Sequence, residues 1–136
     1  AEYDTYLTDT EVEDFITVSI RYDNGAIGDM MASSCARGGE AGGTRIYGSE
    51  GQMAFGRRLR VFTENDVAGL ENGAWTEIET PRADGRTKLI ERFAEAVFNG
   101  TPPEVPGEEG RNTLDVIYAA YRSGETHMPV CVPTYG

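Results

Sequence analysis

The sequence predicts an α+β domain in which an open, mostly antiparallel β-sheet carries helices packed on one face. Short strand patterns come first along the chain and helical patterns afterwards, which is the order typical of this class. The 136 residues are enough for one hydrophobic core but not for two. We therefore expect a single domain over residues 1–136.

The first two predicted strands form a hairpin. Residues 13–22 alternate, with Ile16, Val18 and Ile20 on the side that we expect to face the helices. The turn at Asn24-Gly25 suits a tight hairpin because both residue types tolerate positive φ. The opposite side of the first strand, together with the outward side of the return strand over 26–36, carries Phe15, Thr17, Ser19, Arg21, Ile27 and Met31.

Neither face of the return strand is clearly polar, which suggests that both are covered, one by helices and the other by a second subunit. In a monomer the six outward residues would lie in water, whereas in a dimer they would form the interface. The sequence predicts a homo-oligomer that pairs through this open sheet face.

The remaining elements follow in order. Further strands are predicted near residues 44–47, 52–55, 59–63 and 75–79. A helix capped by Asp84 follows, with Leu89, Phe93, Ala96 and Val97 as its apolar stripe. A second helix over 108–123 has an apolar stripe of Leu114, Ile117, Tyr118 and Tyr121, and residues 129–133 are predicted as a last strand.

Composition excludes several classes of function. A net charge of −11 repels phosphates and argues against nucleic-acid binding. No apolar run is long enough to span a membrane, and the acidic start of the chain does not resemble a signal peptide, so a cytoplasmic protein is expected. Cys35 and Cys131 are too few and too far apart to indicate a disulfide framework or a metal site.

No residue of the chain is predicted to be catalytic, to bind a metal or to bind a cofactor. The glycine-rich run over 38–43 lacks the Gly-x-Gly-x-x-Gly spacing, and a strand follows it rather than a helix. Lys88, the only lysine, is expected on a solvated helix face, and His127, the only histidine, in a surface loop.

Several segments together resemble one enzyme family. They are Val12-Glu13-Asp14, the hairpin Tyr22-Asp23-Asn24-Gly25-Ala26-Ile27-Gly28, the run Arg45-Ile46-Tyr47-Gly48-Ser49-Glu50-Gly51, and the closing Ala119-Ala120-Tyr121-Arg122-Ser123-Gly124. In order and spacing they are similar to the carboxy-terminal domain of the Gfo/Idh/MocA oxidoreductases (glucose–fructose oxidoreductase, inositol dehydrogenase and relatives), from about Val12 to Val132.

The resemblance implies a division of labour. In this family an amino-terminal Rossmann domain binds NAD or NADP and supplies a Glu-Lys-Pro motif with the catalytic lysine, while the carboxy-terminal domain shapes the substrate site and joins subunits. The Glu-Lys-Pro motif and the family's catalytic Asp and His do not occur in this chain. The implied partners are therefore the missing Rossmann domain, a second copy and a sugar, inositol or related polyol substrate.

The glycine-rich loop has two open interpretations. It is a mobile hairpin connection, or, as the resemblance implies for a loop at this place, it borders the substrate pocket with Arg37 and Glu40 as hydrogen-bonding side chains. The function also has alternatives: a non-catalytic interaction and oligomerisation module of the same fold, or a small-molecule carrier or sensor that uses this loop.

Overall fold

The computed structural model describes residues 1–38, 43–56, 58–80 and 84–133, and it contains seven strands and two helices within those ranges. In chain order the elements are β1 (Glu2–Asp4), β2 (Phe15–Arg21), β3 (Ile27–Ser33), β4 (Thr44–Tyr47), β5 (Gly51–Phe55), β6 (Leu59–Thr63), β7 (Trp75–Ile78), α1 (Gly85–Asn99) and α2 (Gly107–Thr126). The strands precede the helices, and every strand pair is antiparallel, so the predicted α+β class is confirmed.

The strands pair in two sheets. A three-stranded sheet has the order β1-β2-β3, and a four-stranded sheet has the order β4-β5-β6-β7. The chain also divides into two compact units, one over residues 1–37 and 90–136 and the other over residues 38–89, with the boundary inside α1. The two sheets therefore belong to different units. Neither helix of the described chain has the length and apolar character needed to cross a membrane.

The β2–β3 hairpin forms as its alternation predicts. Val18 lies opposite Met30 and Thr17 opposite Met31, so the two side-chain sets keep to opposite faces. Two backbone hydrogen bonds close the turn. The Tyr22 N–H donates to the Ala26 carbonyl at 2.9 Å, and the Tyr22 carbonyl accepts from the Gly25 N–H at 2.9 Å. Gly25 has φ +88°, a conformation that a side chain would strain.

Strand β3 ends earlier than predicted. The ladder stops at Ser33 rather than continuing to Ala36. The Ser33 Oγ accepts the N–H groups of Cys35 at 3.2 Å and Ala36 at 3.1 Å, which turns the backbone away from the sheet. Cys35 therefore lies in a bend, with its Sγ 3.2 Å from the same hydroxyl, and not on the outward side of a strand.

Helix α2 packs against the inner face of the three-stranded sheet through small residues. Ala119, Ala120 and Gly124 are buried on this helix. The Tyr3 ring of β1 meets the Tyr121 ring edge to face at a centroid distance of 5.3 Å. A methyl group on Gly124 would come within 2.5 Å of the Tyr3 ring, so the close approach of helix and strand depends on this glycine.

The buried residues of α2 differ from the predicted stripe. Tyr121 meets the Tyr3 ring of the sheet, whereas Leu114, Ile117 and Tyr118 stay exposed by 52%, 43% and 66%. A helix can approach a strand closely only through short side chains, and Ala120 and Gly124 satisfy that requirement better than leucine or tyrosine.

Helix α1 begins where the sequence predicts. The Asp84 Oδ1 accepts the backbone N–H groups of Arg86 at 3.1 Å and Thr87 at 3.4 Å, and its Oδ2 accepts the Thr87 hydroxyl at 2.6 Å. These bonds lower the pKa of Asp84, the Thr87 hydroxyl contributing most. The helix stops at Asn99 before Gly100, which has φ +64°. Only Ala96 of its predicted stripe is buried.

The strand predicted over residues 129–133 does not form within the described chain; these residues carry no regular structure. Pro129 and Pro133 have no N–H to donate to a ladder, which leaves this segment a weak candidate for sheet pairing.

The carboxy-terminal end of α2 provides the first prediction. His127 caps the helix at φ 53° and ψ 29°, a left-handed conformation that glycine adopts without strain. Replacing His127 with glycine should raise the free energy of unfolding by about 1 kcal/mol. The Met128→Gly variant is the matched control, since a neighbouring glycine should give no gain. Urea unfolding of both variants checks this; a loss of stability in His127→Gly would contradict it.

Candidate functional site

The three-stranded sheet presents one face that helix α2 does not cover. Because directly opposed residues of antiparallel strands point to the same side, the register places ten side chains on this outward face. They are Glu2 and Asp4 of β1, Phe15, Thr17, Ser19 and Arg21 of β2, and Ile27, Asp29, Met31 and Ser33 of β3. All six residues predicted as interface candidates are among them, so the structure brings these residues together on one surface.

The outward face mixes exposed apolar side chains with charges. Met31 is 69% exposed and Ile27 is 62% exposed. Met31 lies beside Thr17, and Ile27 beside Arg21. An open depression of about 370 Å³ is lined by residues of the same sheet and its amino-terminal end, namely Ala1, Glu2, Thr17, Val18, Ser19, Asp29, Met30 and Met31.

A buried carboxylate fixes the segment that leads into this face. Asp14 is only 2% exposed and stands immediately before β2. Its Oδ1 accepts the N–H of Tyr6 at 2.8 Å, and its Oδ2 accepts the N–H groups of Leu7 at 2.7 Å and Thr8 at 2.9 Å. The Thr8 hydroxyl adds a bond at 3.1 Å. One side chain thus satisfies three consecutive backbone donors of the β1–β2 connection.

These bonds also set the ionisation of Asp14. They stabilise the carboxylate, the Tyr6 N–H contributing most, and hold the pKa of Asp14 well below its usual range although burial opposes this shift. The backbone of Asp14 adds two further hydrogen bonds. Its N–H donates to the Asp4 carbonyl at 3.2 Å, and its carbonyl accepts from the Ser34 N–H at 2.9 Å. Asp14 therefore links β1, the start of β2 and the end of β3.

The neighbouring carboxylate connects the sheet to the helix. Glu13 accepts a hydrogen bond from the Tyr121 hydroxyl at 2.5 Å. The bond raises the pKa of Tyr121, because the phenol donates to a carboxylate and would lose that bond on ionising. Sequence reasoning did not single out Glu13 or Asp14 individually; the signal was the Val12-Glu13-Asp14 motif at the head of a strand.

The two predicted pocket residues have different outcomes. Arg37 is exposed and follows the Ser33 turn at the end of β3. Glu40 lies outside the described residues. Lys88 is exposed in the first turn of α1, and His127 is exposed at the end of α2, 3.4 Å from Glu2, and both positions agree with the predicted surface locations.

The four-stranded sheet carries an aromatic cluster of its own. Trp75 of β7 lies opposite Phe62 of β6, with ring centroids 5.8 Å apart, and the Arg60 guanidinium sits 5.3 Å from the Trp75 ring centre. The Arg60 guanidinium therefore makes a cation–π contact with the Trp75 ring, and this contact stabilises the pairing of β6 and β7. Within the described ranges no three His, Cys, Asp or Glu side chains are grouped to hold a metal ion.

Comparison with known proteins adds the family. Residues 2–132 match the family described as "Oxidoreductase family, C-terminal alpha/beta domain", the Gfo/Idh/MocA group. The chain is also 30% identical over 112 residues to scyllo-inositol 2-dehydrogenase (NAD(+)) of Bacillus subtilis (strain 168). That alignment covers 82% of this chain and 33% of the dehydrogenase, so the chain spans about a third of the length of this relative. The resemblance read from the sequence is confirmed, and the chain belongs to the Gfo/Idh/MocA oxidoreductase family as a representative of its carboxy-terminal α/β domain.

Proposed function

We propose that this chain is the substrate-side and subunit-contact domain of an NAD(P)-dependent oxidoreductase that acts on a sugar, inositol or related polyol. The observation that carries the proposal is the family match over residues 2–132, joined to the similarity with an inositol dehydrogenase. In the complete enzyme the nicotinamide would exchange a hydride with a secondary alcohol carbon of the polyol.

The experiment uses the full product of the gene from which this chain derives. Purified protein is mixed with NAD⁺ or NADP⁺ and a panel of inositols, aldoses and linear polyols, and reduced nicotinamide is followed by absorbance. We expect turnover with at least one cyclic or linear polyol. If neither nucleotide is reduced with any member of the panel, the result would contradict the proposal and favour the non-catalytic interaction module.

The proposed subunit contact uses the outward face. Exposed Met31 and Ile27 side chains on one sheet face are unusual for a surface that stays in water. A symmetric dimer pairs one patch with its own copy, and a face with alternating apolar and charged side chains suits such self-pairing. We assign the six interface candidates to this contact.

The proposed pocket wall includes Arg37 and Glu40. A guanidinium donates paired hydrogen bonds that suit vicinal hydroxyls, and Arg37 is exposed and available for that role. In the full enzyme, Arg37→Ala should raise KM for the polyol about tenfold with little change in KM for the nucleotide. Arg86→Ala, which removes an exposed arginine from α1, is the matched control. An unchanged polyol KM in Arg37→Ala would remove this residue from the pocket.

A further inference from the structure

Three asparagines of the chain are each followed by glycine, at Asn24-Gly25, Asn72-Gly73 and Asn99-Gly100. In such a pair the backbone nitrogen of the glycine can attack the side-chain amide carbon of the asparagine, because glycine has no side chain to block the approach. The three pairs are the same dipeptide, so their local sequence gives them similar reactivity. The structure, however, restrains them to different degrees.

The pair Asn24-Gly25 is held at both of its reacting groups. The Gly25 N–H donates to the Tyr22 carbonyl at 2.9 Å, which keeps the glycine nitrogen turned away from the asparagine side chain. The Asn24 Oδ1 accepts the Ala26 N–H at 3.0 Å, which fixes the side-chain amide within the turn. Both bonds belong to the β2–β3 hairpin, so the reaction requires the end of that hairpin to open.

The pair Asn72-Gly73 is held through its backbone. The Gly73 N–H donates to the Thr63 carbonyl at 2.8 Å, the shortest of the three hydrogen bonds that these glycines make. Asn72 also forms a β-bridge with Thr63, which is buried at the end of β6. Attack by the Gly73 nitrogen therefore requires this segment to separate from β6.

The pair Asn99-Gly100, at the end of α1, is the least restrained. The Gly100 N–H reaches the Val97 carbonyl only at 3.3 Å, beyond the usual range for such a bond. The Asn99 side chain is exposed and makes no hydrogen bond within the part of the chain that the structure describes. Only Ala96 of this helix is buried, so little packing opposes opening of its last turn.

We infer that Asn99 is a site of spontaneous deamidation, an inference that does not depend on the proposed function. The Gly100 nitrogen loses its proton and bonds to the Asn99 Cγ, and the bond from Cγ to the side-chain nitrogen breaks with release of ammonia. Water then opens the succinimide ring at either carbonyl, which leaves aspartate or isoaspartate at position 99. The reaction consumes water, releases ammonia and needs no oxidant or reductant.

The modification changes the end of α1. Either product places a carboxylate at the negative end of the helix dipole, one turn after Glu95. Isoaspartate also lengthens the backbone by one methylene, which shifts the N–H groups of Gly100 and Thr101 that end the helix. The Thr101 N–H donates to the Ala96 carbonyl at 2.9 Å. Deamidation of Asn99 therefore loosens the last turn of this helix.

Peptide mapping by mass spectrometry tests the inference on the chain incubated at mildly alkaline pH. In the folded chain we expect Asn99 to convert at least about fivefold faster than Asn24 or Asn72, the factor that about 1 kcal/mol of additional restraint gives. In the chain unfolded by guanidinium chloride the three rates should become similar, because only the shared dipeptide then acts. Asn99→Gln should remove the signal at position 99 in both conditions.

Equal rates at the three sites of the folded chain, or faster conversion at Asn24 or Asn72, would overturn the inference. A preference for Asn99 that persists unchanged in guanidinium chloride would also overturn it, since neighbouring residues rather than the fold would then set the rate. Asn99→Asp, which carries the charge of the product, should lower the melting temperature by about 2–4 °C relative to the neutral Asn99→Gln control. Equal melting temperatures of these two variants would contradict the loosening of α1 by the added charge.

Discussion

Replacing Met31 with glutamate should weaken self-association of this chain by about 100-fold or more. Met31 is a 69% exposed residue of the outward face and lies on β3 opposite Thr17 of β2. In a symmetric dimer one substitution places two unpaired carboxylates in the contact, and each must lose water without gaining a partner. A 100-fold change in the dissociation constant corresponds to about 2.7 kcal/mol, within the range for an unpaired charge in an interface.

Sedimentation velocity over a wide concentration range measures this change. Phe98→Glu is the matched control, because Phe98 is 91% exposed on α1 and is not part of the outward face. We expect Phe98→Glu to associate like the original chain. A strictly monomeric original chain at high concentration, or a Met31→Glu variant that associates normally, would contradict the proposed subunit contact.

Replacing Asp14 with asparagine should lower the melting temperature by about 5–10 °C. The amide keeps one acceptor oxygen but loses the second and turns donor groups toward the N–H groups of Leu7 and Thr8, which Oδ2 accepts in the original chain. Buried donors without an acceptor are costly, and the β1–β2 connection would lose its anchor. Asp9→Asn, an exposed change within the same connection, should have almost no effect.

The difference in melting temperature between the original chain and Asp14→Asn should depend on pH. Folding lowers the pKa of Asp14 below its ordinary value of 3.8, so its contribution to stability is complete above that value and is lost as the pH falls through the folded pKa. The melting temperatures of the original chain and Asp14→Asn should differ most near pH 6–7 and converge in acid, below about pH 4. A constant difference down to pH 2 would show that the ionised carboxylate is not the source.

The parts of the fold that sequence predicted well are those that local patterns determine. The β2–β3 hairpin follows from strict alternation on both sides of Asn24-Gly25, and the start of α1 follows from the capping chemistry of Asp84. Strand β1 was not predicted, because three residues are too few to show a period. It is held by pairing with β2, which the local sequence does not encode.

The packing of α2 shows why core residues were harder to predict. The sequence favoured its largest apolar side chains as the buried stripe, yet the buried residues are Ala119, Ala120 and Gly124, and Gly124 lies against Tyr3 of the sheet. Side-chain size was a poor guide, since the distance between helix and strand is set by the ring of Tyr3, a residue more than a hundred positions away.

Some residues of the candidate site could likewise be predicted from the local sequence pattern, and others could not. The six outward-face residues could be grouped from alternation alone, and the register confirms that they share a face. The role of Asp14 could not be predicted, because its three backbone donors are presented only when the β1–β2 connection curls around the carboxylate. Arg37 and Glu40 came from the family resemblance, and their shared role stays a prediction.

Calorimetric titration of nicotinamide nucleotides asks whether the cofactor is held elsewhere in the enzyme while this chain contributes the substrate and subunit surfaces. NAD⁺ and NADP⁺ are titrated into the chain alone and into the full gene product under the same conditions. We expect no heat of binding with the chain alone and saturable binding of at least one nucleotide with the full protein. Tight nucleotide binding by the chain alone would contradict it.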